Sequence, residues 1–162
     1  QCCSGVQARL SQLLRSLESY YHPSNTGPWC PVLGGFLCQL CSHMCHRLKE
    51  EQREPSDVPA RCRIQPEDLQ RFTSSVLPLA VTALFTEDAN LTAAANQALR
   101  FIARMAPRLA IEEMLPRMQQ ALCSVMEAHQ MLPILNLLGS MAPALAQLEH
   151  QPILMEVMDL AL

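Results

Sequence analysis

Aromatic residues make up only 4% of the 162-residue chain, and glycine occurs five times. With so few glycines there is no phosphate-cradling loop and no dinucleotide fingerprint, and no His-Glu-x-x-His pair supplies a zinc-hydrolase core. Charge of one sign is also missing: 12 Lys and Arg stand against 15 Asp and Glu, a formal net charge of −3 without segregation. Electrostatics alone therefore draws the chain neither to a nucleic-acid backbone nor to an anionic membrane. The most continuous apolar run, around Val76 to Phe85, is too short for a bilayer and carries Thr82. No basic segment, apolar core and cleavage site open the chain, and the expectation is a soluble intracellular protein.

Cysteine, by contrast, is plentiful. Eight occur, at positions 2, 3, 30, 38, 41, 45, 62 and 123, seven of them in the first 62 residues and none with the regular spacing of a small disulfide scaffold. A chain this rich in Leu, Ala and Met needs no covalent staples, so reduced thiols in the cytosol or nucleus are expected. Gln1 is not an initiator Met and Leu162 ends an apolar run. Those ends suggest a fragment of something longer.

Nearly every segment has helical period, and none has convincing strand alternation. Val6, Leu10, Leu13, Leu14, Leu17 and Tyr20 line one helical face, stopped by the turn from His22 to Pro28. Leu33, Phe36, Leu37, Leu40, Met44 and Leu48 form the next stripe, begun through Pro31, where a missing N–H costs little. Gly34 and Gly35 weaken that helix by roughly 1 kcal/mol each. A charged stretch over 50–65, broken by Pro55 and Pro59, reads as an exposed linker. Leu69 to Ala83 predicts a third helix, Leu91 to Met105 a fourth, and Ile111 to Met126 a fifth. A sixth is expected from about Met131 to Leu148 and a seventh from Pro152.

The helices repeat. Met105-Ala106-Pro107-Arg108-Leu109-Ala110 recurs 36 residues later as Met141-Ala142-Pro143-Ala144-Leu145-Ala146, and Leu77-Pro78 recurs 38 residues later as Leu115-Pro116. That period lies between the tetratricopeptide repeat and the longer HEAT and armadillo units. A Pro inside the first helix of each pair, without the tetratricopeptide Trp/Gly/Tyr pattern, favours HEAT. The predicted fold is all-α: a HEAT/armadillo-like α-solenoid of stacked antiparallel helix pairs. It divides into a helix pair over 1–49, the linker over 50–65, and HEAT-like repeats over 66–162 with the last truncated.

Chemistry has few candidates. Cys38, Cys41 and Cys45, with His43 and His46 between and beyond them, look like a metal knuckle. Positions 38 and 45 are about 10.5 Å apart along a helix, whereas two sulfurs on one zinc lie within about 4.6 Å. At most two of the three thiols can share a metal, and both imidazoles point off the Cys flank, so small buried hydrophobes are the better reading. His22, His129 and His150 lack a recognisable nucleophile and third triad member. Met114, Met118, Met126, Met141, Met155 and Met158 fall at core spacing and read as core filling. Neither a catalytic residue nor a metal or cofactor site is assigned.

The most specific feature is the corner after the first helix: Tyr20, Tyr21, His22, Pro23, Ser24, Asn25, Gly27 and Trp29. Pro23 fixes φ, Asn25 can hydrogen-bond its own backbone, Gly27 accepts a positive φ, and Trp29 plugs the next helix against Tyr20 or Tyr21. This string closely resembles the aromatic-aromatic-His-Pro-Ser-Asn-x-Gly-x-Trp segment in the middle region of the proteasome activator complex subunit 4 family, giant HEAT-repeat proteins. Asp68-Leu69-x-x-Phe72, Val76 to Leu79, Ala83 to Phe85, Ala93 to Leu99, Pro107 and Glu127 to Met131 follow in the family's order, so the resemblance spans roughly residues 9 to 148. Two departures stand out. Pro28, Cys30-Pro31 and Gly34-Gly35 replace the family's basic residue before the Trp and its Lys- and Leu-rich helix after it, and the family's strongly basic stretch is reduced to His46-Arg47-Leu48-Lys49.

The resemblance implies a non-catalytic role in the nucleus and cytoplasm. Such solenoids curl into a dome on the end of the proteasome core particle, open its gate without ATP and favour ubiquitin-independent degradation, including that of acetylated histones; DNA repair is among the processes implied. The family's gate-opening tail has no counterpart here, and its inositol-phosphate and acetyl-lysine contacts are assigned to no residue of this stretch. The alternative is a HEAT/armadillo-type scaffold or transport adaptor unrelated to the proteasome. A zinc-dependent module centred on Cys38 and Cys41 is a third, weaker reading.

Overall fold

The computed structural model describes residues 2–53 and 58–123, with positions 136, 139, 141, 142, 146, 152 and 155, and side chains except those of 2–4 and 117–123. Helix α1 spans Cys2–Leu17 and tightens into a 3-10 turn over Glu18–Tyr21. Helix α2 follows over Cys30–Glu51, a second 3-10 turn over Ala60–Cys62, then α3 over Pro66–Ala83, α4 over Ala89–Met105 and α5 over Pro107–Cys123. The helices expected from Met131 and Pro152, the Glu127 to Met131 string, His129 and His150 lie outside the described residues, apart from isolated positions.

Local chemistry sets the helix ends. α2, α3 and α5 each carry a proline in the first turn, where no intrahelical N–H bond is lost. The Asp68 carboxylate reaches back to accept from the Gln65 N–H at 3.3 Å. At the start of α4, Asp88 Oδ1 accepts from the Leu91 N–H at 2.8 Å, and the Thr92 hydroxyl donates to the Thr86 carbonyl at 3.1 Å. Asp88→Ala should lower stability by about 1 kcal/mol while Asp88→Asn stays near wild type. Urea unfolding followed by helical circular dichroism checks this, and an unaffected alanine variant would show the cap to be idle.

α3 and α5 also share an interior proline, Pro78 and Pro116. In α3 the Thr82 hydroxyl donates to the Pro78 carbonyl at 2.9 Å. Each proline deprives the carbonyl four residues earlier of its helical donor. The two helices thus occupy equivalent places in successive units.

Packing joins alternate helices as well as sequence neighbours. α2 packs most extensively on α4, α1 on α3, and α3 touches α5; the sequential pairs α3–α4 and α4–α5 close the layers together. One layer holds α1, α3 and α5 and the other α2 and α4, an all-α solenoid arrangement. Its core runs through Leu37 and Cys41 of α2, Val76 and Ala80 of α3, Leu91, Ala95, Leu99 and Ile102 of α4, and Ile111 and Met114 of α5. Met141 is buried in the same cluster, whereas Met155, at core spacing in the sequence, is 58% exposed.

α2 and α4 lie close together at Gly34. A Cβ there would lie 3.0 Å from the Ala94 Cβ and 3.5 Å from the Leu91 Cα, while one at Gly35 would meet nothing. Gly34 therefore offsets its helix-propensity cost by letting two helices pack closely. α1 gains less from its position: Leu14 is buried, but Val6 and Leu13 of its apolar stripe are exposed.

The 50–65 stretch is not wholly an exposed linker. α2 continues through Glu51, whose side chain is buried, accepting from Arg47 Nε at 2.6 Å and from the Ile64 N–H at 2.8 Å. Arg47 also donates to the Cys62 carbonyl at 3.3 Å. A charged residue in a charged stretch thus ties the end of α2 to the approach of α3.

Candidate functional site

The corner between α1 and α2 is where the sequence is most distinctive. The chain leaves the 3-10 turn through His22, whose N–H bonds the Ser19 carbonyl, and turns back on an Asn25 N–H to His22 carbonyl bond of 2.9 Å. The Asn25 side chain bonds no backbone group of its own: Nδ2 donates to the Ser19 carbonyl at 3.1 Å, closing the end of the 3-10 turn. His22 Nδ1 accepts the Ser24 N–H at 3.2 Å. His22 is therefore engaged in holding the turn.

The two tyrosines divide the work. Tyr20 is partly exposed and meets the edge of Trp29, with ring centroids 5.9 Å apart and planes at 86°, a favourable aromatic geometry. Tyr21 is fully buried, and its hydroxyl donates to the Leu33 carbonyl at 3.0 Å, pinning the corner to the first turns of α2.

Gly27 has a different role from the one its turn context suggests. Its φ lies outside the left-handed region, but a Cβ would fall 2.4–2.6 Å from the far edge of the Trp29 ring. Glycine here makes room for the ring rather than serving a left-handed backbone. The Gly27 N–H points at the buried Cys30 Sγ, 3.4 Å away, and its carbonyl accepts the Cys30 N–H at 3.0 Å. Nothing in the sequence flagged Cys30 as part of the corner; its position one residue after Trp29 was the available signal.

Cys38, Cys41 and Cys45 lie on α2, the first half-buried and the other two buried. Burial, with smaller pushes from the Cys38 and Cys45 thiols, raises Cys41 from its ordinary 9.0 to about 12, and burial raises Cys38 as well. Such thiols resist forming the thiolates that a metal or a nucleophilic role needs. Among the described residues, no group of three or more His, Cys, Asp and Glu side chains is arranged to hold a metal ion. Cys30, Cys38, Cys41, Cys45 and Cys62 are free thiols.

Tyr21 shares this environment. Burial first, then the nearby Cys41, raises its phenol from 10.0 to about 12. Both folded-state values lie above the unfolded ones, so the fold holds these groups neutral. The stability this represents is complete below the unfolded values and is lost as pH rises through the folded ones. The urea midpoint should fall between about pH 9 and 12, and Cys41→Ala should make that fall shallower, with the raised Cys38 and Tyr21 keeping the rest of it. A midpoint that stays level throughout that window would contradict the assignment.

Val6 and Leu10 of α1, Leu40 and Met44 of α2, and Ile64 and Phe72 line an apolar hollow of about 470 Å³. No described helix is long and apolar enough to cross a membrane.

Helix pairs stacked in two layers, with prolines at equivalent places and a short repeat period, define a segment of a HEAT-repeat solenoid. The family model for the mid HEAT repeats region of proteasome activator complex subunit 4 matches residues 10–162, and the chain belongs to that family. It is 34% identical over 144 residues to proteasome activator complex subunit 4 of Xenopus laevis, and 33% identical over 144 residues to that of Homo sapiens. Each alignment covers 86% of this chain and 8% of the relative. Proteasome activator subunit 4 of Arabidopsis thaliana is 31% identical over 128 residues, 79% of this chain and 7% of its own length. The chain thus spans less than a tenth of the relatives it matches.

Proposed function

We propose that this chain is a non-catalytic stretch of solenoid wall in a proteasome-activating cap, one that binds the end of the core particle and promotes ATP- and ubiquitin-independent degradation. The family match across residues 10–162 carries this reading. The stacked helix pairs support it physically, since each pair buries its apolar face against its neighbours and offers the remainder as surface. In this reading the chain contributes shape: α2 and α4 meet closely at Gly34, and the Tyr21 corner fixes how α1 leads into α2. Acetylated histones are the substrates the reading favours, and the nucleus and cytoplasm the compartments in which it would work.

The test uses the protein purified at its natural length and mixed with proteasome core particle. Co-migration on a native gel, with faster hydrolysis of a fluorogenic peptide in the absence of ATP, is the expected result. A monodisperse, helical protein that neither shifts the core particle nor stimulates hydrolysis would overturn the activator reading and favour a scaffold or transport adaptor of the same architecture.

A further inference from the structure

The seam between α1 and α3 is polar. Gln7 Nε2 donates to the Asp68 carbonyl at 2.7 Å, and the Ser11 and Ser75 hydroxyls are 2.9 Å apart. Ser75 Oγ also donates to the Arg71 carbonyl at 2.9 Å, so its proton is committed there and Ser11 is the donor between the two serines. These bonds satisfy the seam internally.

Alongside it runs a groove of about 520 Å³, with Arg15 from α1 on one wall and Gln70, Arg71 and Ser74 from α3 on the other. No carboxylate side chain lines it. A smaller hollow of about 230 Å³ continues the groove through Arg15 and Ser74 to Glu18 and Pro78. Arg47 and Arg108 are each paired with a glutamate one helical turn away. Among the described residues, the Arg15 and Arg71 guanidiniums have no such partner, leaving two forked donors on facing walls. Pro78 has no N–H to give the Ser74 carbonyl, so an acceptor without its helical donor lies beside the same groove.

Two guanidiniums call for carboxylates and a bare carbonyl calls for an N–H; an acidic peptide brings both, whereas the sugar-phosphate backbone of a nucleic acid brings anionic oxygens without a backbone N–H. We propose that the α1–α3 groove docks an acidic peptide segment of a partner protein, its carboxylates pairing with Arg15 and Arg71. The proposal does not rest on binding to the proteasome core particle.

Fluorescence anisotropy of labelled octaglutamate with the full-length protein tests the proposal, with octaglutamine as the neutral comparison. Octaglutamate should bind in a salt-sensitive manner and octaglutamine should not. Arg15→Glu with Arg71→Glu should weaken binding by about tenfold or more. Arg9→Glu, which makes the same kind of charge change on α1 outside the groove, should leave it within about twofold of wild type. The proposal is overturned if octaglutamine binds equally well, if Arg9→Glu weakens binding as much as the groove variant, or if a single-stranded oligonucleotide of similar length binds as tightly as octaglutamate. Circular dichroism confirms that each variant retains its helices.

Discussion

Tyr21→Ala is expected to destabilise the protein by about 3–5 kcal/mol, the range for removing a large buried aromatic. Tyr21 is fully buried where the 3-10 turn after α1 meets α2 and α3, so truncation leaves a void shared by three elements. It also removes the hydroxyl that holds the Leu33 carbonyl. Tyr21→Phe keeps the ring and loses only that bond, so it should cost about 1 kcal/mol. The neighbouring Tyr20→Ala removes a partly exposed ring whose aromatic contact is with Trp29, and should cost about 1 kcal/mol as well. Urea unfolding of the three variants separates the terms. Equal losses for the two alanine substitutions would show that the division of labour between the adjacent tyrosines is wrong.

That division was beyond the sequence. Tyr20 and Tyr21 are consecutive, carry nearly the same side chain and both stand at the end of an apolar stripe; which of them is buried depends on the 3-10 tightening of the last turn. The helices themselves were legible because their apolar residues recur with helical period and because Pro31, Pro66 and Pro107 sit where helices begin. Gly27 was legible as a special position but not for the right reason. Turn chemistry suggests a positive φ, whereas the demand comes from the Trp29 ring, which reaches back over the glycine.

Long-range packing explains the remaining gaps. A linear reading pairs α1 with α2, but α1 packs mainly on α3 and α2 mainly on α4. Stripe analysis identifies the face each helix buries without identifying what covers it. Glu51 shows the same limit: its charge assigns it to a solvated linker, yet the Arg47 guanidinium and the Ile64 N–H provide the partners that permit its burial. The groove of Arg15 and Arg71 was equally hidden, because 56 residues separate two arginines that only the α1–α3 packing places on facing walls.

Gly34→Leu should be the most damaging change at the interface between α2 and α4. Helix propensity alone predicts a gain of about 1 kcal/mol for any good helix former replacing an interior glycine. Packing opposes it, because the new Cβ begins 3.0 Å from the Ala94 Cβ and 3.5 Å from the Leu91 Cα, atoms fixed directly to a helical backbone. A flexible side-chain end could swing aside; these atoms move only if α4 moves. The branched carbons of leucine would then force the helices apart, at a cost of about 3 kcal/mol, the upper part of the range for an overpacked core. Gly34→Ala should come out near neutral, the propensity gain set against one tight contact. Gly35→Ala, with open space around its Cβ, should stabilise by up to about 1 kcal/mol. The ordering Gly35→Ala above wild type, Gly34→Ala beside it and Gly34→Leu well below, read from urea midpoints, is a result that propensity alone cannot produce. If Gly34→Leu were as stable as Gly35→Ala, close approach of α2 and α4 would not be the reason for glycine at position 34.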